Sequence, residues 1–233
     1  LRTFYVGALP AVDEKEPNND FATPQKIPLN VTVTGVADNE DVDYYSFEAK
    51  KGQRITAEVE GMRLGTTVFD PYVAIMDMKR FELASTDDSA LLYQDAVASV
   101  VIPSDGTYVV QVRESSYAGN GGCVYRLHVG TFPRPTAIVP AGGKLGEEVE
   151  VSFFGDPAGL FKQKFKLPAV RDSIFAVFAQ DAGGISPSGN VFRLSDYGNV
   201  VEVEPNNGPL WLRLTGSPRV KEFIGVTLQP QKG

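Results

Sequence analysis

Apolar and polar positions alternate with a period of two along most of this chain, the pattern of strands that bury one face. It is clear in Val31-Thr32-Val33-Thr34-Gly35, in Gln53-Arg54-Ile55-Thr56-Ala57-Glu58-Val59 and in Thr107-Tyr108-Val109-Val110-Gln111-Val112-Arg113. Strands are predicted over 31–36, 44–49, 53–59, 72–78, 96–102, 107–113 and 123–130. Lys51-Gly52, Asp70-Pro71, Ser104-Asp105-Gly106 and Asn120-Gly121-Gly122 supply turn chemistry between them. No window of a dozen residues keeps apolar positions at the helical spacing. The expectation is an all-β chain: a jelly-roll-like antiparallel β-sandwich followed by a smaller immunoglobulin-like β-sandwich.

The texture changes near residue 131. Phe132-Pro133-Arg134-Pro135 reads as a stiff, extended connector, and Glu148-Val149-Glu150-Val151-Ser152-Phe153 beyond it is again alternating. A partial repeat follows, in which Glu204-Pro205-Asn206-Asn207 echoes Glu16-Pro17-Asn18-Asn19 and the segment from Pro209 to Gly233 lies without gaps over Pro28 to Gly52. The organisation read from this is a tail or linker at 1–11, a first sandwich at 12–131, an immunoglobulin-like domain at 132–203, and a degenerate second copy of the first domain at 204–233.

Length and composition fit this plan. The chain has 233 residues, 42% of them hydrophobic, enough for two ordinary cores. No apolar run reaches the ~18 residues of a membrane span, so membrane insertion is not expected. Leu1-Arg2-Thr3-Phe4-Tyr5-Val6-Gly7 has neither an initiating Met nor a signal-peptide core, which suggests a piece excised from something longer. The formal charge is −7, and residues 12–60 hold eleven Asp and Glu against five Lys and Arg, leaving −6 on that segment. Such a surface repels phosphate backbones and argues against nucleic-acid partners. Cys123 is a single cysteine, so no intrachain disulfide forms. His128 is the single histidine and shares a strand face with Arg126, where alternation turns it toward solvent.

The acidic excess is clustered. Asp13-Glu14-Lys15-Glu16-Pro17-Asn18-Asn19-Asp20 and Asp38-Asn39-Glu40-Asp41-Val42-Asp43 flank one predicted strand, and an oxygen-lined pocket between them would suit Ca²⁺, which takes six to eight oxygen ligands. The alternative is that Asp, Asn and Pro here only build turns and solvated strand ends. An acid–base pair for glycoside cleavage would need one carboxyl in an apolar pocket, which the sequence does not suggest. No Gly-x-Ser-x-Gly elbow or His-x-x-x-His pair exists, and no catalytic residue is assigned. Among the aromatics, Tyr93 and Tyr117 lie in loop-like surroundings and are the candidates for a ligand-stacking platform.

Three stretches together resemble the bacterial pre-peptidase C-terminal domain. They are Glu14-Lys15-Glu16-Pro17-Asn18-Asn19, Asp41-Val42-Asp43-Tyr44-Tyr45-Ser46-Phe47 with Ala49-Lys50-Lys51-Gly52-Gln53, and Pro103-Ser104-Asp105-Gly106-Thr107-Tyr108. Residues 132–200 are similar to the immunoglobulin-like domain called IPT/TIG, an alternation known from large surface proteins of planctomycete-type bacteria. The resemblance implies a sandwich of secreted or surface proteins, often appended to peptidases and not itself catalytic. By position it implies Ca²⁺ ligands at Glu14, Glu16, Asn18, Asn19, Asp38, Asp41 and Asp43, with Asn19 standing where the clostridial collagenase domains have Asp. The functional expectation is a non-catalytic extracellular binding or spacer module, stiffened by calcium and flanked by domains of the same chain. Its alternative is a domain that carries an attached enzyme to an extracellular polysaccharide or matrix protein.

Overall fold

The computed structural model describes residues 7–89, 92 and 94–200. The first unit is built from β1 (Ala11–Asp13), β2 (Gln25–Lys26), β3 (Val31–Val36), β4 (Val42–Ala49), β5 (Arg54–Glu60), β6 (Pro71–Asp77), β7 (Glu82–Thr86), β8 (Val97–Val101), β9 (Gly106–Glu114) and β10 (Val124–Gly130). One sheet has the order β1-β3-β10-β5-β8 and the other β2-β4-β9-β6-β7. The seven predicted strands are all present within two residues of the expected bounds. The short β1, β2 and β7 were not expected; the first two are stubs of three and two residues, below the length at which alternation can be read. Both stubs pair in parallel with their neighbours, β1 with β3 and β2 with β4, while the remaining ladders of the two sheets are antiparallel.

The core between the sheets is where alternation puts it. Tyr45, Phe47, Ile55, Val110, Tyr125 and Leu127 are all buried, drawn from the central strands β4, β5, β9 and β10. The product is an all-β sandwich, with one short 3₁₀ turn, Met62–Leu64, among the described residues. Among the described residues no helix is long and apolar enough to cross a membrane.

The second unit has its own small core of Val151, Phe153, Leu167, Val177, Ala179 and Phe192. Strand β11 (Ala137–Val139), β13 (Glu148–Phe154) and β14 (Phe161–Lys166) make a three-stranded sheet; β12 (Gly142–Lys144) pairs in parallel with Arg193–Ser195, and two short ladders join Ala176–Val177 to Asn190–Val191 and Gln180–Asp181 to Gly184–Ile185. The repeat read at 204–233 lies outside the described residues.

One expectation is corrected here, and the surroundings of the connector and of Cys123 become visible. His128 is 2% exposed, not solvent-facing, because the second unit covers the outer face of the first sheet. In the connector, Phe132, Pro133, Arg134 and Pro135 are all buried. Cys123 is fully buried and unpaired by any disulfide.

Candidate metal centre

Two chain crossings meet at one end of the sandwich. Strands β1 and β3 run parallel in one sheet, β2 and β4 run parallel in the other, so residues 14–24 and 37–41 pass between the sheets at the same end. These crossings carry the two acidic clusters. In β4, Asp43 shares the inward face with Tyr45, Phe47 and Ala49, and it is completely buried at the strand's start. In β10, Tyr125 lies opposite Gly35 of β3. A Cβ on Gly35 would stand 2.5 Å from the Tyr125 hydroxyl and 2.7 Å from Glu14 Oε1, so glycine is what lets carboxylate and phenol occupy that space.

Glu14, Glu16 and Asp43 each offer a carboxylate oxygen, and the three oxygens lie within 4.8 Å of one another. An ion with Ca–O distances of about 2.4 Å spans that separation. Glu14 is fixed by several donors: Tyr45 Oη at 2.7 Å, Tyr125 Oη at 2.9 Å and Asn18 Nδ2 at 3.3 Å reach Oε1, and the Val36 amide donates to Oε2 at 3.0 Å. Glu16 accepts the Asn18 amide at 3.0 Å. Tyr125 donates to Asp43 Oδ2 at 2.7 Å. Two oxygens are left over: Asn18 Oδ1 and Asp43 Oδ1 are buried with no hydrogen-bond partner. Each such orphan costs about 1–3 kcal/mol unless something satisfies it. Three carboxylates and an amide, all oxygen donors with two acceptors unsatisfied, fit a hard cation and offer nothing to a soft one.

The electrostatics agree. Burial, then the charge of Glu14, pushes the Asp43 carboxyl up to about 9. Burial also raises Glu16, with the charges of Asp41 and Glu14 adding to it against the Asn18 amide. Burial raises Asp41, reinforced by Glu14 and Asp38 against backbone hydrogen bonds. Tyr45 and Tyr125 are pushed far above the ordinary phenol range, first by burial, then for Tyr45 by the charges of Asp43 and Glu14 and for Tyr125 by Tyr45 and the same two acids, so both remain donors. The four contacts among Glu14 Oε1, Tyr45 Oη, Tyr125 Oη and Asp43 Oδ2 need more protons than two hydroxyls supply, and a proton on Asp43 provides one more.

Of the seven ligands expected from sequence, the structure gathers Glu14, Glu16, Asn18 and Asp43. Asn19 instead donates to Asp41, whose other oxygen takes the Asp38 amide at 3.3 Å. Asp38 is exposed and accepts the Asn39 amide at 2.8 Å. These three form a rim beside the cluster. Sequence reasoning missed Tyr45, Tyr125 and Gly35 as its supports; the available signal was that Tyr45 shares the Asp43 face. The sequence suggested no carboxyl in an apolar pocket, and the structure corrects this with Asp43, completely buried against Tyr125.

The aromatic candidates fare differently. Tyr93 lies outside the described residues. Tyr117 is 46% exposed, and the Arg113 guanidinium sits 4.4 Å from its ring centroid and 4.0 Å from that of Tyr72. One ring face of Tyr117 is therefore already taken.

No family model matches the chain. A probable subtilase-type serine protease of Deinococcus radiodurans is 32% identical over 105 residues, which are 43% of this chain and 14% of that protein. The protease activity in its name belongs to that protein, of which the matched segment is a small part. Among solved structures, the pre-peptidase C-terminal domain of a collagenase from Bacillus anthracis is similar at 17% identity and TM-score 0.37, over 46% of this chain and 93% of that one. A periplasmic inhibitor of g-type lysozyme, PliG of Aeromonas hydrophila, is similar at 14% identity and TM-score 0.32, over 45% and 96%. Likenesses this distant leave function to the site itself.

Proposed function

We propose that this chain is a non-catalytic extracellular module of a larger secreted or surface protein, and that a calcium ion stiffens it. The observation that carries the reading is the carboxylate cluster of Glu14, Glu16 and Asp43 with two buried, unpartnered oxygens, Asn18 Oδ1 and Asp43 Oδ1. Glu14, Glu16, Asn18 and Asp43 would hold the ion, and Asp41 would add charge from the rim. Bound there, calcium supplies the positive charge that four clustered acids lack. The chain does the rest: the 14–24 crossing is tied to β3, β4 and β10 by Glu14 and Asn18, so stabilising those side chains pins the crossing to both sheets. The domain arrangement that goes with this reading is a pre-peptidase C-terminal-like sandwich at 12–131 carrying an immunoglobulin-like unit from 132, in the manner of extracellular spacers.

Terbium tests the site optically, because Tyr45 and Tyr125 hydrogen-bond its carboxylates and can transfer excitation to the ion. Tyrosine-sensitised terbium emission is expected, displaced by excess Ca²⁺ and lost in Glu16→Ala. Absence of sensitised emission, or emission unaltered in Glu16→Ala, would remove the cation from the account.

A further inference from the structure

The outer face of the first sheet carries Arg54, Thr56, Glu58 and Glu60 of β5 with Arg126 and His128 of β10, residues that alternation assigns to water. Glu58 and Thr56 are nevertheless completely buried and Arg54 is 8% exposed. What buries them is the second unit and the connector. Glu58 meets Arg134 Nε at 2.7 Å in an ion pair too bent for a hydrogen bond, Arg63 at 3.1 Å, and the Ser188 hydroxyl. Arg63 also donates to Ser188 Oγ at 2.7 Å, and Arg134 to the Ser188 carbonyl at 3.2 Å. Arg54 pairs with Asp156 at 3.1 Å and Asp181 at 2.8 Å.

The connector itself is bonded on both sides. Arg54 donates to the Thr131 and Phe132 carbonyls at 2.6 and 3.2 Å, and Thr56 to the Phe132 carbonyl at 3.0 Å. Two residues on, the Arg134 amide donates to Asp156 at 2.9 Å, on the second unit. A linker bends only where its backbone is free, and here its carbonyls belong to one unit and its amide to the other. Gly183 closes the seam: a Cβ there would fall 2.1 Å from the Thr131 carbonyl oxygen.

We infer that the Arg134–Glu58–Arg63 and Arg54–Asp156 networks lock the two units into one rigid body that opens as a whole, with no hinge at 131–135. Buried ion pairs add little net adhesion, but a half-satisfied one is costly, so such a network selects a single docking geometry. The second unit, with a core of six fully buried apolar residues, has little stability of its own to spend on independent folding. This inference does not depend on calcium.

Hydrogen exchange followed by segment over a denaturant series, on the full chain, reads the coupling directly. Peptides covering Val124–Gly130 and Glu148–Phe154 are expected to lose protection at one shared midpoint. In Arg134→Met, which leaves buried Glu58 with Arg63 as its one remaining arginine partner, the second midpoint should drop and separate from the first, with a fall in melting temperature of roughly 5–15 °C. Adding Glu58→Gln to that variant should recover part of the loss, since the under-paired buried carboxylate is then neutral and Arg63 keeps Asp95. Separate midpoints in the wild type would overturn the inference, as would an Arg134→Met variant that leaves both unchanged. Should that variant fail to fold, the wild-type midpoints decide alone.

Discussion

Asp43→Asn is expected to raise the melting temperature of the chelated protein near pH 8 and to abolish the further rise that calcium gives the wild type. The two effects share one cause. Burial and the charge of Glu14 hold the folded Asp43 carboxyl at about 9 against an ordinary 3.8. A carboxyl raised on folding contributes stability that is complete below its unfolded value and is lost as pH climbs through the folded one. Metal-free wild type should therefore lose stability steadily between about pH 4 and pH 9, with the raised Glu16 and Asp41 acting in the same sense. Glu60 acts oppositely, but its window lies lower: against burial, His128 at 3.4 Å and the charges of Arg63 and Arg126 depress it to about 2, so its contribution fades only below pH 4.5. Asparagine keeps the shape of Asp43 and an amide oxygen but not the charge, which removes the Asp43 share of the slope and the anionic ligand that holds the ion. Calcium at a hundredfold excess over its dissociation constant is worth about 2.7 kcal/mol to the wild type, all of which the variant forgoes. Thermal melts from pH 5 to 9 in calcium and in chelator check both halves. A variant less stable in chelator than the wild type, and still responsive to calcium, would contradict the argument.

Arg54→Ala should destabilise the chain by about 3–5 kcal/mol, the cost of stranding one half of a buried pair. The side chain of Asp156 has no exposure, and after the substitution only the Arg134 and Ala158 amides remain to it. Asp181 is a third exposed and can turn to water, so its share of the loss is small. The Phe132 carbonyl keeps the Thr56 hydroxyl, whereas the Thr131 carbonyl loses its 2.6 Å donor. Equilibrium denaturation in urea, compared with Lys162→Ala at an exposed pair, measures it; the Lys162–Glu150 pair is about half exposed on both sides and should be nearly neutral. A cost below about 1 kcal/mol for Arg54→Ala would mean the seam is open in solution.

What the sequence made legible was whatever depends on period-two alternation within one strand. The strand positions of the first unit and the inward face of β4, β5, β9 and β10 followed from local residues, and so did the bringing together of two acidic segments flanking β3. Alternation has no information on what lies beyond a sheet's outer face. His128 accordingly looked solvated although it is 2% exposed, and Arg54 and Glu58 on the same sheet face are held by residues 102 and 130 positions away. The candidate site shows the same limit at smaller scale. The family resemblance pointed to Glu14, Glu16, Asn18 and Asp43 but also to Asn19, Asp38 and Asp41, and only the crossing geometry separates the cluster from its rim. Gly35 was a strand residue like any other until Tyr125 was placed opposite it.

The most direct measurement is a calorimetric Ca²⁺ titration of the full chain beside Glu16→Ala, each with a thermal melt in calcium and in chelator. One ion bound in the micromolar to millimolar range, with a raised melting temperature in the wild type and neither effect in Glu16→Ala, is the predicted result. No heat and no shift in the wild type at millimolar calcium would contradict it, and would leave the two acidic crossings as turns without a ligand.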